Sequence, residues 1–358
     1  MERKVINPII YCLIISTVLY PMGIWNRLRV PIQMEGTVGL GYDNNILRLS
    51  DKEIKEEDVN KYGIISTLDS PILRPNLKLI YSPAIMDRKI TNIVTSISYS
   101  HFTKAVQKSY LITNLSLELK LRSYSWLKVG IRDIPEYYLR NYHDRDLSNI
   151  DYYSCTFSSQ GYFASYSFPV KWIRKTWIKV YTDYTKEYYN PYFTEFDLKK
   201  YMFQFDLNHK TRKTHSMKLS VAHGSAENIS YGSYLSSTSF DRSYIFDKLR
   251  SEFVYKNRND KIVKQLGISL LLEQRYYELE SSKYSFDNWK YYLDGRTKIW
   301  VQWDIMADMG IRTWYQYRWR NANTQLYGDF DWVEDIKSYS KHEIWLEFSY
   351  KFITDILY

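Results

Sequence analysis

From Ile344 to Phe352 every even position is apolar or aromatic (Ile344, Leu346, Phe348, Tyr350, Phe352), and Trp345, Glu347, Ser349 and Lys351 lie between them. Side chains on a strand alternate faces, so the segment predicts a strand with one greasy and one polar face. The same phase carries on through Ile356 to Tyr358. The pattern recurs. Leu115, Leu117, Leu119 and Leu121 alternate with Ser116, Glu118, Lys120 and Arg122, and Tyr201, Phe203, Phe205 and Leu207 with Met202, Gln204 and Asp206. Leu266, Ile268, Leu270 and Leu272 do the same with Leu271 as one lapse, and so do Met309 to Trp319. Soluble sandwich strands run about 5–6 residues. Many runs here reach about 9–12, the length a tilted strand needs to cross a bilayer. The fold class expected is all-β: a transmembrane, antiparallel, up-and-down β-barrel.

Fourteen strands can be marked: 32–42, 72–82, 90–101, 111–122, 125–133, 152–168, 176–185, 197–208, 215–223, 244–256, 264–276, 290–303, 306–319 and 339–353. Links after even-numbered strands are short, as at Arg122-Ser123-Tyr124 and Trp303-Asp304. Most links after odd-numbered strands are longer, such as Pro135 to Asp151, His223 to Asp241 and Asn321 to Tyr339. Tight turns on one side and long loops on the other is the asymmetry of outer-membrane barrels, and an even strand count puts both termini on the turn side. Counts of twelve to sixteen remain compatible with the pattern, since 125–133 and 152–168 are the least regular runs.

Composition agrees. Tyr at 36 and Trp at 11 exceed what one core absorbs, and a barrel places such rings at the two membrane interfaces. Mean hydropathy is −0.45, which is no objection when the membrane signal lies in alternation. Met1-Glu2-Arg3-Lys4 followed by apolar residues to Trp25 has the form of a secretory leader, giving a signal peptide over 1–25 and a barrel over 30–358. An uncleaved anchor is the alternative, since no small-x-small triplet precedes Gly23. With the leader removed Cys155 stands alone, so no internal disulfide is expected. Export through the periplasm into a Gram-negative-type outer membrane follows. Its lipid is one expected partner, and the barrel-assembly machinery, engaged through the C-terminal strand, is another.

If the apolar phase faces lipid, the polar phase lines the lumen. That phase holds about 17 basic against 9 acidic residues, beside a net charge of +9 for the whole chain. The lumen-lining, solute-binding candidates are Arg250, Arg275, Arg296, Lys298, Arg312, Arg318, Lys120, Arg122 and Lys248. A ring of Arg and Lys in a watery pore favours anions. Glu252, Glu273 and Asp294 lie among them, so a cross-strand ion-pair ladder that stiffens the wall is the competing expectation. Small anionic solutes are the expected cargo. Nucleic acid is not expected, because these cations point into a barrel.

Ser50-Asp51-Lys52-Glu53 has capping-box spacing, and the run to Tyr62 predicts a short helix in the first loop. A solvated decoration is expected there rather than a luminal constriction. His143 with Asp144 and Asp146 has the residue types of a rim acid/base pair, and His223-Gly224-Ser225 with Asn228 is similar to the arrangement of outer-membrane phospholipases. The first is read as loop and the second as a turn, so no enzyme activity is expected. No cofactor or metal spacing is present. A plugged barrel displaying Tyr188-Tyr189-Asn190-Pro191-Tyr192-Phe193 is the alternative to a channel.

Gly39-Leu40-Gly41-Tyr42-Asp43-Asn44-Asn45, followed by Arg48-Leu49-Ser50, resembles the first barrel strand of the surface lipoprotein assembly modifiers. That resemblance implies a fourteen-stranded barrel. The nearest functional analogy is with monomeric fourteen-stranded porins, which implies passive passage of small hydrophilic solutes.

Overall fold

A computed structural model describes residues 27–56, 62–63, 65–86, 89–143, 152–211, 214–230, 243–257, 263–277, 290–324 and 337–354. The alternating segments become strands β1 (Ile32–Asp43), β2 (Ser70–Tyr81), β3 (Ile90–Phe102), β4 (Tyr110–Arg122), β5 (Ser125–His143), β6 (Tyr152–Pro169) and β7 (Thr176–Tyr189). They continue as β8 (Leu198–His209), β9 (His215–Asn228), β10 (Tyr244–Lys256), β11 (Val263–Tyr277), β12 (Lys290–Asp304), β13 (Met309–Thr324) and β14 (Tyr339–Thr354). Each strand pairs antiparallel with its sequence neighbours, and β14 returns to β1 with Ile32 opposite Thr354 and Asp43 opposite Glu343. The sheet is therefore a closed fourteen-stranded barrel without a free edge, as expected from the alternation.

Closure is what permits the outer face to be apolar. Leu40, Phe205, Val221 and Ile344 are 50%, 51%, 55% and 59% exposed on that face. In water such a belt would be an aggregation surface, whereas in hydrocarbon it is solvated. Above it, toward the long loops, stand Tyr42, Tyr184, Tyr201 and Tyr276; below it, toward the short turns, stand Tyr166, Phe253, Tyr350 and Phe352. Tyr184 stacks on Tyr201 across β7–β8 at 4.9 Å, and Tyr350 lies 5.9 Å from Phe352. These rings occupy the two interface levels. No described helix is long and apolar enough to cross a membrane; the strands do so.

Several strands run past their predicted ends. β5 continues to His143 where a loop was expected from Pro135, and register shifts between Ile134/Tyr137 and Tyr138/Arg140 absorb the proline, which cannot donate to the ladder. β9 continues to Asn228, so His223-Gly224-Ser225 is strand and not turn. A Cβ on Gly224 would lie 2.3 Å from Phe246 Cζ, so the glycine opens a luminal space that the ring fills. β13 begins at Met309 rather than 306, because the backbone bond from Ile305 N–H to Met309 O closes a turn there. In the connection after β7, Pro191–Phe196 forms a 3₁₀ turn with Phe193 fully buried, so this segment is folded onto the barrel rim and not simply displayed. The leader over 1–25 and the terminal Ile356 to Tyr358 lie outside the described residues.

On the luminal face Gly41 lies opposite Trp345, and an added Cβ would come within 2.4 Å of the indole Cδ2. Gly41→Ala should therefore overpack the β1–β14 seam and cost about 1–3 kcal/mol. The check is the urea midpoint of the folded, heat-modifiable band, which should fall while Gly36→Ala, whose Cβ meets nothing within 4 Å, leaves it unchanged.

Candidate functional site: the barrel lumen

Three indoles on consecutive strands organise one side of the lumen. Trp300 on β12, Trp314 on β13 and Trp345 on β14 all occupy the polar phase, and all are buried. Trp314 stacks on Trp345 with centroids 5.3 Å apart and planes 15° from parallel. Cations cover the rings: Arg74 lies 3.9 Å over Trp345, Lys298 3.5 Å over Trp314 and Arg312 5.3 Å over Trp300. A cation over a ring face is attracted by the negative face of its π-system.

The first loop folds onto this wall. Asn45 closes the turn out of β1: its Nδ2 donates to Leu49 O at 2.8 Å and to Ser340 O at 3.0 Å, and its Oδ1 accepts from Leu49 N–H at 2.9 Å. Ile46, Leu47, Leu49 and Ile65 then pack with Ile72, Phe102, Tyr138 and the three tryptophans in one apolar cluster. The predicted capping box forms. Glu53 N–H donates to Ser50 Oγ at 3.1 Å and Ser50 N–H to Glu53 Oε2 at 3.0 Å, starting helix α1 (Asp51–Glu56).

The same Glu53, 1% exposed, takes both contacts of Arg140 Nη1 at 3.1 and 3.2 Å. Lys341 Nζ lies 2.6 Å from Asp43 and 2.7 Å from Glu343 beneath it. From the next loop Lys108 donates to Tyr138 O at 2.9 Å and Leu139 O at 2.6 Å, and burial pushes its ammonium well below the usual lysine range. The loop is thus a packed luminal plug, not the solvated decoration expected. The helix signal carried no information about which way its buried acid would turn.

A second group is the ladder on β10–β13. Lys248 and Arg275 meet Glu273 at 3.1 and 2.6 Å, while Arg275, Arg318 and Arg320 meet Asp294 at 3.8, 3.7 and 2.9 Å. Four cations share two carboxylates, so the ladder expected from the sequence forms and still leaves a positive surplus. Arg250 pairs with Glu252 at 2.6 Å yet is 45% exposed within the lumen phase. Around the opposite wall, on β4–β9, Lys128 meets Glu118 at 2.8 Å and Lys218 meets Asp206 at 2.9 Å. Lys120 lies 5.5 Å over Trp126, and Arg122 is exposed at the turn end of β4.

All nine candidate lumen residues fall on the luminal phase, although they do not gather at one point. Lys248, Arg275 and Arg318 belong to the ladder. Lys298 and Arg312 cover the indoles, and Arg296 has its buried Nε without a hydrogen-bond partner. Lys120 and Arg122 stand apart, and Arg122 and Arg250 are the exposed ones. Sequence reasoning missed Arg74, Arg140 and Lys341, and it missed the three tryptophans as a group. The signal was present: Trp300, Trp314 and Trp345 each sit in the polar phase of a neighbouring strand.

No family model matches the chain, and no curated protein matches it. Solved structures that resemble it include the anion-selective porin from Comamonas acidovorans, at 5% identity over 90% of this chain and 98% of that one, with a TM-score of 0.44. The outer membrane channel DcaP of Acinetobacter baumannii aligns at 11% identity over 90% and 97%, TM-score 0.45. A loop L8 deletion mutant of OmpT, an outer membrane protein of Vibrio cholerae, aligns at 8% over 90% and 99%, TM-score 0.43. The fold is a transmembrane barrel of the bacterial outer-membrane type. That statement rests on the closed sheet, its apolar belt and its two aromatic levels.

The histidines weighed for hydrolase chemistry have these surroundings. His223 Nδ1 lies 2.8 Å from Asp247 Oδ1 on the outer face, and Ser225 shares that face while Asn228 falls on the other. His143 ends β5, and Asp144 and Asp146 lie outside the described residues. His209, His215 and His342 are bonded to Thr176, Thr214 and Tyr315. Among the described residues no group of three metal-ligating side chains occurs.

Removing one partner of a buried ion pair strands the other, at a cost of about 3–5 kcal/mol. Glu53→Ala should therefore detach the first loop while the barrel stays folded. Protease added outside proteoliposomes should cut between 44 and 69 in the variant and leave the parent intact. Equal resistance in both would contradict the plug's dependence on Arg140.

Proposed function

We propose that this chain is a porin-like outer-membrane channel through which small hydrophilic solutes diffuse passively, with a preference for anions. Supporting this is one observation above the others: the plug covers the wall formed by β1–β3, β5 and β12–β14, while Arg250 on β10 stays accessible inside the same closed sheet. A surplus of positive over negative charge along a low-dielectric wall raises the local concentration of anions. The shared carboxylates of the ladder add rigidity without cancelling that field, since two acids serve four cations.

Export through the periplasm and insertion by way of the aromatic C-terminal strand belong to the same proposal. A second reading, a closed barrel that binds or anchors a partner, is favoured by the plug itself. Its apolar cluster of Leu49 and the three indoles is packed like a core rather than like a hinged lid.

Planar bilayers separate the two. Under a KCl gradient the purified barrel should give steady single-channel currents with a chloride-favouring reversal potential. Arg250→Glu should reduce the chloride-to-potassium permeability ratio by about twofold or more, and deleting 46–65 should raise conductance severalfold. A heat-modifiable protein that inserts and carries no current would overturn the channel proposal and favour the binding barrel.

A further inference from the structure

Beneath the indole plate, on the short-turn side of the lumen, lies a cavity of about 310 Å³ whose lining includes Glu35, Gly39, Arg74, Arg312 and Glu347. That volume is at the lower end of the range of about 300–1,000 Å³ typical of small-molecule sites. One row of the register crosses it: Arg312 on β13 stands opposite Glu347 on β14, Glu347 opposite Gly39 on β1, and Gly39 opposite Arg74 on β2. Read across, the wall presents a cation, an anion, a gap with no side chain and a second cation. One strand step below, Gly310, Ser349, Thr37 and Asn76 form a neutral floor.

These charges are not spent on each other. Elsewhere in the lumen facing charges close into pairs, as Lys128–Glu118 and Lys200–Glu187 do at 2.8 and 2.6 Å. Arg312 and Glu347 are direct cross-strand neighbours, yet among the described residues they form no ion pair, and the buried Nε of Arg312 has no hydrogen-bond partner. Arg74 gives its Nε to Ser100 Oγ at 2.8 Å and sets its guanidinium on Trp345, and Glu35, opposite Lys351 on β14 and Lys78 on β2, forms no ion pair among the described residues. These four side chains are half-buried around the cavity, and Arg312 also lies 5.3 Å over Trp300, so a solute entering the cavity meets charges that no facing group has closed into a pair.

We infer that this cavity binds a small zwitterion of the α-amino-acid class: its carboxylate on Arg312 with Arg74 behind it, its ammonium on Glu347 with Glu35 on the same wall. Side chains directly opposite on paired strands have Cβ atoms about 4.5–5.5 Å apart. A solute that carries both charges close together therefore reaches both side chains from one position in the cavity. A plain anion would leave Glu347 unmet, and a plain cation would leave Arg312 so. The site rests on the channel reading for its supply of solute, and it refines that reading. The lumen's overall positive field draws in carboxylates, and this cavity discriminates in favour of those that also carry an ammonium.

Binding and passage are measured separately on the full chain. In detergent, calorimetric titration should show saturable binding of L-alanine at least about tenfold tighter than of propionate or ethylamine. Glu347→Gln should erase that preference by weakening alanine toward propionate, whereas Arg312→Gln should weaken both, with Arg312→Lys partly restoring them. Folding of each variant is verified by its heat-modifiable band. Saturable alanine binding in a barrel that carries no current would support the site and overturn the channel. Current without any alanine preference, or a preference that survives Glu347→Gln, would overturn the site and leave the channel standing.

Discussion

Every other property of this molecule depends on the pairing of β14 with β1. A strand in hydrocarbon has no water to satisfy its backbone N–H and C=O groups, and each unsatisfied group costs several kcal/mol. Twelve opposed residue pairs from Ile32↔Thr354 to Asp43↔Glu343 remove the last open edge. Only then can Leu40, Val221 and Ile344 stand outward without inviting another sheet. Closure also creates an inside. Side chains that would be an ordinary polar surface on an open sheet become the walls of an enclosed space, where their charges are only partly screened.

That enclosed space is asymmetric. On the side of β12–β14 and β1–β2, indoles, the first loop and the half-buried cations Arg74 and Lys298 build a packed core above the cavity. On the side of β10 and β4–β9 the wall is charged and paired, with Arg250 still in contact with solvent. A single barrel thus combines the packing of a soluble interior with a charged, ion-paired wall.

The outer face was the legible part. Period-two alternation marks fourteen strands because lipid accepts only one kind of side chain, and the phase of Leu115 to Leu121 or Tyr201 to Leu207 leaves one choice. Strand ends were less visible. β5 passes Pro135 through two bulges, and β9 passes Gly224 because a ring fills the gap, neither of which is encoded in local alternation. The lumen was legible in sign and not in arrangement. Arg275, Arg318 and Lys248 lie on the predicted phase, but which of them share Glu273 or Asp294 depends on register between strands. The inward turn of the first loop was hidden for the same reason: Glu53 reads as an exposed acid until Arg140, far along the chain, is placed beside it.

The glycine-rich opening of β1 gains a meaning from these contacts. Gly41 seats Trp345, and Asp43 two residues on holds Lys341. Slipping β14 by two residues in one direction would set the indole against Asp43. The same slip would carry Lys341 two residues further from that carboxylate. A one-residue slip would turn Trp345 out to lipid. The closing pair of strands therefore carries a steric and an ionic mark against a slip toward Asp43, and the face pattern a mark against a slip by one. A barrel that seals at this register has, in the same step, built the floor on which its plug rests.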